Sequence, residues 1–238
     1  MENLDKKIWL QNILLQNGLK LENEQLDSLI LFVYLLLEKN KFINLISRKD
    51  TEFVWENHIL HSLAICKYFT IEGSPNILDL GTGGGFPGIP LKIALPKIKI
   101  DLLDSIRKKV EAVSEFVEAL KLDNASVVCS RTENLGAQFY NKYDIVVSRG
   151  VAPLIDLIKW AKPLMNRSSN FELVSNMKNE KYTVKAPIFI AFKGGQIEAE
   201  IQSLKLANIC ASVFVCDISV QGIEINLLQD KKIVLIQF

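Results

Sequence analysis

The sequence predicts an α/β fold: a mostly parallel seven-stranded sheet with helices on both faces, preceded by an N-terminal helical segment. Three observations predict it. From Ile77 onward, short apolar runs alternate with stretches of helical spacing, one strand about every 25 residues, the rhythm of parallel strands joined by crossover helices. Directly after the first run, five glycines fall within eight positions, Gly81, Gly83, Gly84, Gly85 and Gly88, as a tight turn between strand and helix requires. Before that run, the apolar residues follow helical spacing only. Residues 1–70 are therefore read as a helical segment packed on a main domain of residues 71–238.

The elements follow in order. Leu4 to Asn17 has helical spacing. Asn23 is a candidate N-cap for a second helix, in which Leu26, Leu29, Ile30, Val33, Leu36 and Leu37 recur at helical intervals. Leu29 to Leu37 is apolar all round, so this helix is expected to be covered on more than one side. Asn40 to Asp50 is a polar link, and a helix is expected from Thr51 to Phe69. Ile77 to Leu80 is the first strand. Gly88 to Ala94 is a short helix ended by Pro96, and Ile98 to Leu103 a strand closed by Asp104. Lys108 to Leu120 is a helix with Val110, Val113, Phe116, Val117 and Leu120 on one face. Further strands are expected at Val127 to Cys129, Ile145 to Val147, Ile188 to Phe192, Ser212 to Ile218 and Ile233 to Phe238, with helices at Leu154 to Met165 and Ile197 to Leu206. Asn166 to Lys185, rich in Asn, Ser, Lys and Glu, is expected to be a mobile surface loop.

Composition excludes several classes. Hydrophobic residues at 49% and charged residues at 23% are those of a soluble globular protein. The longest apolar run, Leu29 to Leu37, is far short of a membrane span. The acidic start, Met-Glu-Asn-Leu-Asp, is not that of a signal peptide, so a cytoplasmic protein is expected. Cys66, Cys129, Cys210 and Cys216 lack Cys-x-x-Cys spacing and are expected to be reduced thiols, with Cys66, Cys129 and Cys216 in apolar surroundings. His58 and His61, three apart, have no further ligands nearby, so no metal is expected; contacts inside the helical layer account for them. A net charge of +1 means that any RNA is held by a local basic patch and not by a global field.

The glycine stretch carries two overlapping patterns. Gly83 to Gly88 matches Gly-x-Gly-x-x-Gly, the dinucleotide fingerprint, but out of register: Gly81 is the glycine that leaves the strand, and Phe86 stands five positions later. Pro87 also lacks the N–H that a pyrophosphate would need. No Gly-Lys-Ser/Thr closes the turn, which excludes a phosphate loop of the nucleoside-triphosphatase type. The second pattern, Asp79-x-Gly81-x-Gly83-x-Gly85, resembles the first motif of Rossmann-like class I S-adenosylmethionine methyltransferases. That cofactor has no phosphate, and its ammonium and sulfonium suit a carboxylate such as Asp79.

Other residues fall at the carboxyl ends of predicted strands. Asp104 offers two acceptors to a ribose diol or, alternatively, caps the next helix. Ser130-Arg131-Thr132-Glu133 leaves the third strand, Ser148-Arg149-Gly150 the fourth and Lys193-Gly194-Gly195 the fifth. Arg107, Lys108 and Lys109 add to a basic rim suited to phosphate contacts.

Together these residues carry a more specific resemblance. Asp79 to Leu91, with Asn44-Leu45, His58-Ile59-Leu60, Leu103-Asp104-Ser105, Ser130-Arg131, Val147-Ser148-Arg149 and Lys193-Gly194 in that order, is similar to ribosomal RNA small-subunit methyltransferase G, also called glucose-inhibited division protein B. The resemblance covers about Lys39 to Gly195. It implies transfer of a methyl group from S-adenosylmethionine to N7 of guanosine 527 in 16S rRNA. It implies cofactor contacts at Gly81, Phe86, Thr132, Glu133 and Arg149, to which the motif reading adds Asp79, Gly83, Gly85 and Asp104. Arg149 and Lys193 are expected to orient the substrate. A monomer acting on rRNA or a ribosomal particle is expected. The family's Asp after His-Ile-Leu is replaced here by His61, and Asn166 to Lys185 is longer than the usual connection. Rival readings are a methyltransferase of protein or small molecules, and a cofactor-binding RNA chaperone without chemistry.

Overall fold

The computed structural model describes residues 2–176, 183–224 and 228–238. Helices α1 (Glu2–Gln16) and α2 (Asn23–Asn40) come first. A π-helical turn, Trp55–Leu60, runs directly into α3 (His61–Tyr68) and a short strand β1 (Phe69–Thr70). Then come β2 (Asn76–Leu80), α4 (Gly88–Ala94), β3 (Lys99–Asp104), α5 (Arg107–Ala119), β4 (Ala125–Cys129), β5 (Ile145–Arg149) and α6 (Leu154–Ala161). The chain continues through β6 (Glu172–Ser175), β7 (Thr183–Lys185), β8 (Ile188–Gly194), α7 (Glu198–Ala207), β9 (Ser212–Asp217) and β10 (Lys231–Gln237).

Seven strands form the main sheet in the order β4-β3-β2-β5-β8-β10-β9. β4, β3, β2, β5 and β8 are parallel, and β10 is antiparallel to both β8 and β9. The order reverses between β2 and β5. In an open α/β sheet, that reversal opens a crevice at the carboxyl ends of the two strands, where ligands bind.

Alternation along the strands explains the two layers. Ile77, Ile100, Leu102, Ile145, Val147, Ile188 and Ile190 face a core shared with α1, α2, α3, α4 and α5. Leu78, Leu80, Leu103, Val146, Phe189 and Ala191 face the other core, under α6 and α7. Successive strand residues point to opposite faces, so a strand covered on both sides is apolar on both, as Ile77-Leu78 in β2 and Ile145 to Val147 in β5 are; the polar Asp79, Ser148 and Arg149 fall toward the carboxyl ends.

The helical segment differs in detail from the sequence reading. Glu22, not Asn23, is the N-cap of α2, and its backbone N–H donates to Gln25 Oε1 at 2.8 Å. The Gln25 amide in turn donates to the carbonyls of Ile93 and Ala94, satisfying the orphan end of α4. α2 is covered on one face only: Leu26, Leu29, Phe32, Val33 and Leu36 are buried, whereas Leu31 and Tyr34 are 41% and 61% exposed. The expected helix from Thr51 to Phe69 begins later, as the π-helical turn, and ends in β1.

The expected loop from Asn166 to Lys185 contains two strands. β6 pairs antiparallel with β1 and with β7, forming a separate three-stranded sheet. Leu173 and Val184, the buried residues of these short strands, anchor it. The central part of that expected loop, residues 177–182, lies outside the described residues. Cys129 is exposed, contrary to expectation, because it ends the edge strand β4. Among the described residues, no helix is long and apolar enough to cross a membrane.

Candidate active site

Two acids hold the glycine turn. Asp79, the penultimate residue of β2, is fully buried beneath the turn. Its Oδ2 accepts from the Thr82 hydroxyl at 2.7 Å and from the Gly88 N–H at 2.8 Å. Asp104, at the end of β3, accepts from the Gly83 N–H at 2.9 Å through Oδ2 and from the Ile106 N–H at 2.8 Å through Oδ1. The N–H groups of Gly81 and Thr82 both donate to the Leu103 carbonyl. The turn is thus bound to β3 at three points.

The glycines serve different purposes. A Cβ on Gly88 would strike Leu102 and lie 2.6 Å from Asp79 Oδ2; one on Gly85 would lie 2.5 Å from Ile89 Cδ1. Those two glycines permit packing inside the fold. Gly83 has φ +58°, and a Cβ there would meet nothing closer than the Gly81 carbonyl at 3.9 Å. Its open side faces a cavity of about 530 Å³ at the switch point.

Of the predicted site residues, Gly81, Gly83, Phe86, Asp104, Thr132, Glu133 and Arg149 line this cavity. Ser130, Arg131 and Lys109 join them. Asp79 does not line it: the strand carries its side chain under the turn, where Oδ1 has no hydrogen-bond partner. Burial pushes its carboxyl up to about 7 against the two hydrogen bonds and Arg149, which lower it. Gly85 is absent from the wall because it packs against Ile89 and Phe32. Lys193 is also off the wall: it pairs with Glu200 at 2.8 Å and donates to the Ala152 carbonyl at 3.1 Å, tying β8 to α7 and to the loop before α6. Glu200 is shared with the first N–H of α6, at Leu154.

Sequence reasoning missed an apolar part of the wall, made of Leu45, Leu80, Ile106, Val151 and Trp160. It also missed the surroundings of Arg149. Nη1 of Arg149 donates to the Asn57 carbonyl at 3.0 Å, and Nη2 to His58 Nδ1 at 2.6 Å. The guanidinium lies 4.8 Å from the Phe86 ring centroid, and the His58 ring 4.9 Å from the same centroid. Burial first, then Arg149, pushes His58 down to about 3; burial and Arg149 do the same to His61. Both rings are neutral at physiological pH, and neither lines the cavity. The only advance signal was that His58 and Arg149 both belong to short polar breaks in apolar runs. Nothing local relates two residues 91 positions apart.

The donor set suits a nucleoside carrying a charged tail. Polar groups at strand ends (Asp104, Arg149) and in the turn after β4 (Thr132, Glu133) alternate with apolar walls for a planar base, and the open face of Gly83 lets a ligand lie on the backbone. S-Adenosylmethionine fits these residues. No group of three or more His, Cys, Asp or Glu that could hold a metal occurs among the described residues.

Comparison with known proteins agrees with this geometry. The family model described as GidB, rRNA small subunit methyltransferase G, matches residues 25–186. A ribosomal RNA small subunit methyltransferase G of Porphyromonas gingivalis is 40% identical over 162 residues, 68% of this chain and 66% of that protein. Its counterpart in Bacteroides thetaiotaomicron is 36% identical over 214 residues, 90% of this chain and 93% of that one. Among solved structures, an S-adenosylmethionine-dependent methyltransferase from Aquifex aeolicus superposes with a TM-score of 0.51 at 17% identity, covering 84% of this chain and 97% of that one. A precorrin-6y C5,15-methyltransferase from Geobacter metallireducens gives 0.51 at 11% identity over 82% and 90%. At those identities the likeness concerns the fold.

Proposed function

The chain belongs to the rRNA small subunit methyltransferase G family, and from that premise we propose that it methylates N7 of a guanine in 16S rRNA, the guanine at position 527. Its methyl donor is S-adenosylmethionine, which supplies an electrophilic methyl group on sulfur. The observation that carries the reading is the cavity between the β2 turn and Arg149, with Asp104 on its wall.

The residues present suit that reaction. Guanine N7 has an in-plane lone pair and no proton, so no side chain has to remove one. Both histidines are neutral and off the cavity wall, and Asp104 already accepts two backbone N–H groups. What the chain supplies is placement, and holding two reactants in attack geometry can by itself give much of a rate enhancement. The turn and Asp104 hold the nucleoside; Thr132 and Glu133 border the base; Arg149 offers donors at the end of β5. The target guanine must leave its stack to reach such a cavity. Lys109 and Arg131 at the mouth suit flanking phosphates. The enzyme acts as a cytoplasmic monomer without metal on this reading.

The test is transfer of labelled methyl to small-subunit rRNA or particles from cells lacking the activity, with the product mapped by cleavage at 7-methylguanine. Label at one guanine N7 is expected. A parent protein that binds S-adenosylmethionine yet labels only protein or small molecules would overturn the rRNA reading.

A further inference from the structure

We propose that His58 is a positioning residue for methyl transfer: it holds the Arg149 guanidinium in the cavity by accepting a hydrogen bond at Nδ1. The inference rests on the reading of the cavity as the cofactor site and names a residue of the helical segment that serves it.

The geometry leaves little choice of roles. Arginine only donates, so His58 Nδ1 is the acceptor and Nε2 carries the proton. Nε2 faces Asp50 Oδ2 at 3.6 Å. Asp50 is itself held, accepting from the Asn57 amide at 2.9 Å and the Ser47 hydroxyl at 2.8 Å. The π-helical turn places the Asn57 carbonyl and the His58 ring side by side, so one turn grips both ends of the guanidinium. Turns of this kind recur at functional sites. With two donors committed, the remaining N–H groups of Arg149 stay free to serve the cavity it lines.

The ring must stay neutral to accept. The charged or titratable groups facing it are Arg149, Asp50, His61 and Lys231; burial first, then Arg149 and Lys231, push it down to about 3 against Asp50, which raises it. A purely packing role is the alternative, since the His58 ring also packs against Phe86 at a tilt of 42°. Packing alone does not require an acceptor at the Nδ1 position.

The test uses the full chain and S-adenosylmethionine. His58→Leu is expected to weaken cofactor binding or lower kcat by about tenfold, the effect of losing one charge-assisted hydrogen bond. His58→Asn, whose Oδ1 takes the place of Nδ1, is expected to restore most of it; His58→Gln, with its acceptor displaced, is not. In an Arg149→Met background, His58→Leu is expected to add almost nothing, because the two residues act as one. Folding of each variant is checked by thermal melting. Equal binding and turnover in all His58 variants, or additive losses in the double variant, would overturn the proposal while the cofactor reading stood. A parent that binds no cofactor would overturn both.

Discussion

Around β2 and β3 the cavity wall is held within a short stretch of chain: the N–H groups of Gly81, Thr82, Gly83, Gly88 and Ile106 and the Thr82 hydroxyl donate to Asp79, Asp104 or the Leu103 carbonyl. Around β5 the wall is held by side chains, and the partners of Arg149 come from residues 91 and 92 positions earlier. The first half is assembled by local contacts and needs particular glycines and acids. The second exists only once the helical segment has docked on the sheet. The two halves should therefore fail differently when altered.

The largest effect is expected inside the turn. Gly88→Ala drives a Cβ into Leu102 and Asp79, and overpacking of this kind costs about 1–3 kcal/mol. Urea unfolding of this variant is expected to show a lower midpoint, even without cofactor. An unchanged midpoint would mean that the turn is not rigid.

Asp104→Ala comes next. It removes the acceptor of the Gly83 and Ile106 N–H groups, and because Asp104 also lines the cavity, the loss is read in ligand affinity. Affinity for S-adenosylmethionine and for S-adenosylhomocysteine is expected to fall alike, by at least about tenfold. Loss of stability with no loss of affinity would reduce Asp104 to a loop anchor.

The halves also differ in their response to pH. Asp79 is raised from 3.8 to about 7, so between those values the folded protein keeps a proton that the unfolded chain has lost. Its contribution is most favourable below the lower value and is lost as pH rises through 7. His61 is lowered from 6.5 to about 3, so its contribution is complete above 6.5 and is lost as pH falls toward 3. The melting temperature of Asp79→Asn, relative to the parent, is expected to be higher at pH 8 than at pH 5. For His61→Phe the difference runs the other way, each kcal/mol appearing as about 2–4 °C. Parallel pH profiles for the two variants would show that neither group is perturbed by burial as described.

The smallest effect is expected at the rim. Lys108 is exposed, whereas Lys109 lines the cavity, so the two do not share one role. Lys108→Gln is expected to flatten the salt dependence of RNA binding by up to about one phosphate contact, with cofactor affinity unchanged. Lys109→Gln is expected to change both. Identical behaviour of the two variants would remove this distinction.

How much of this was legible follows the same division. The succession of strands and helices rests on alternating apolar runs, and the turn rests on Asp79, Gly81 and Gly83, which lie close together in the chain; both could be read from spacing, whereas the order of the strands in the sheet could not. Asp79 was placed on the wrong side of the turn because the motif names a residue without saying which way its strand turns the side chain. Lys193 was expected beside Arg149, but Glu200 on α7 takes it, and a helix-borne partner leaves no mark near Lys193. β6 and β7 were hidden because Leu173 and Val184 lie in short runs within a polar stretch, and those runs become strands only when β6 pairs with β1 and β7 with β6. The grip of His58 on Arg149 needed the tertiary fold.

The most direct test of the central claim is titration calorimetry of S-adenosylmethionine into the parent and into Gly83→Val, with thermal melting as the control for folding. A branched side chain at Gly83 extends into open cavity, at a strained φ of +58° costing about 1–2 kcal/mol. The account predicts that the variant stays folded and that its cofactor affinity falls by more than about tenfold. A folded Gly83→Val protein that binds S-adenosylmethionine as tightly as the parent would contradict it.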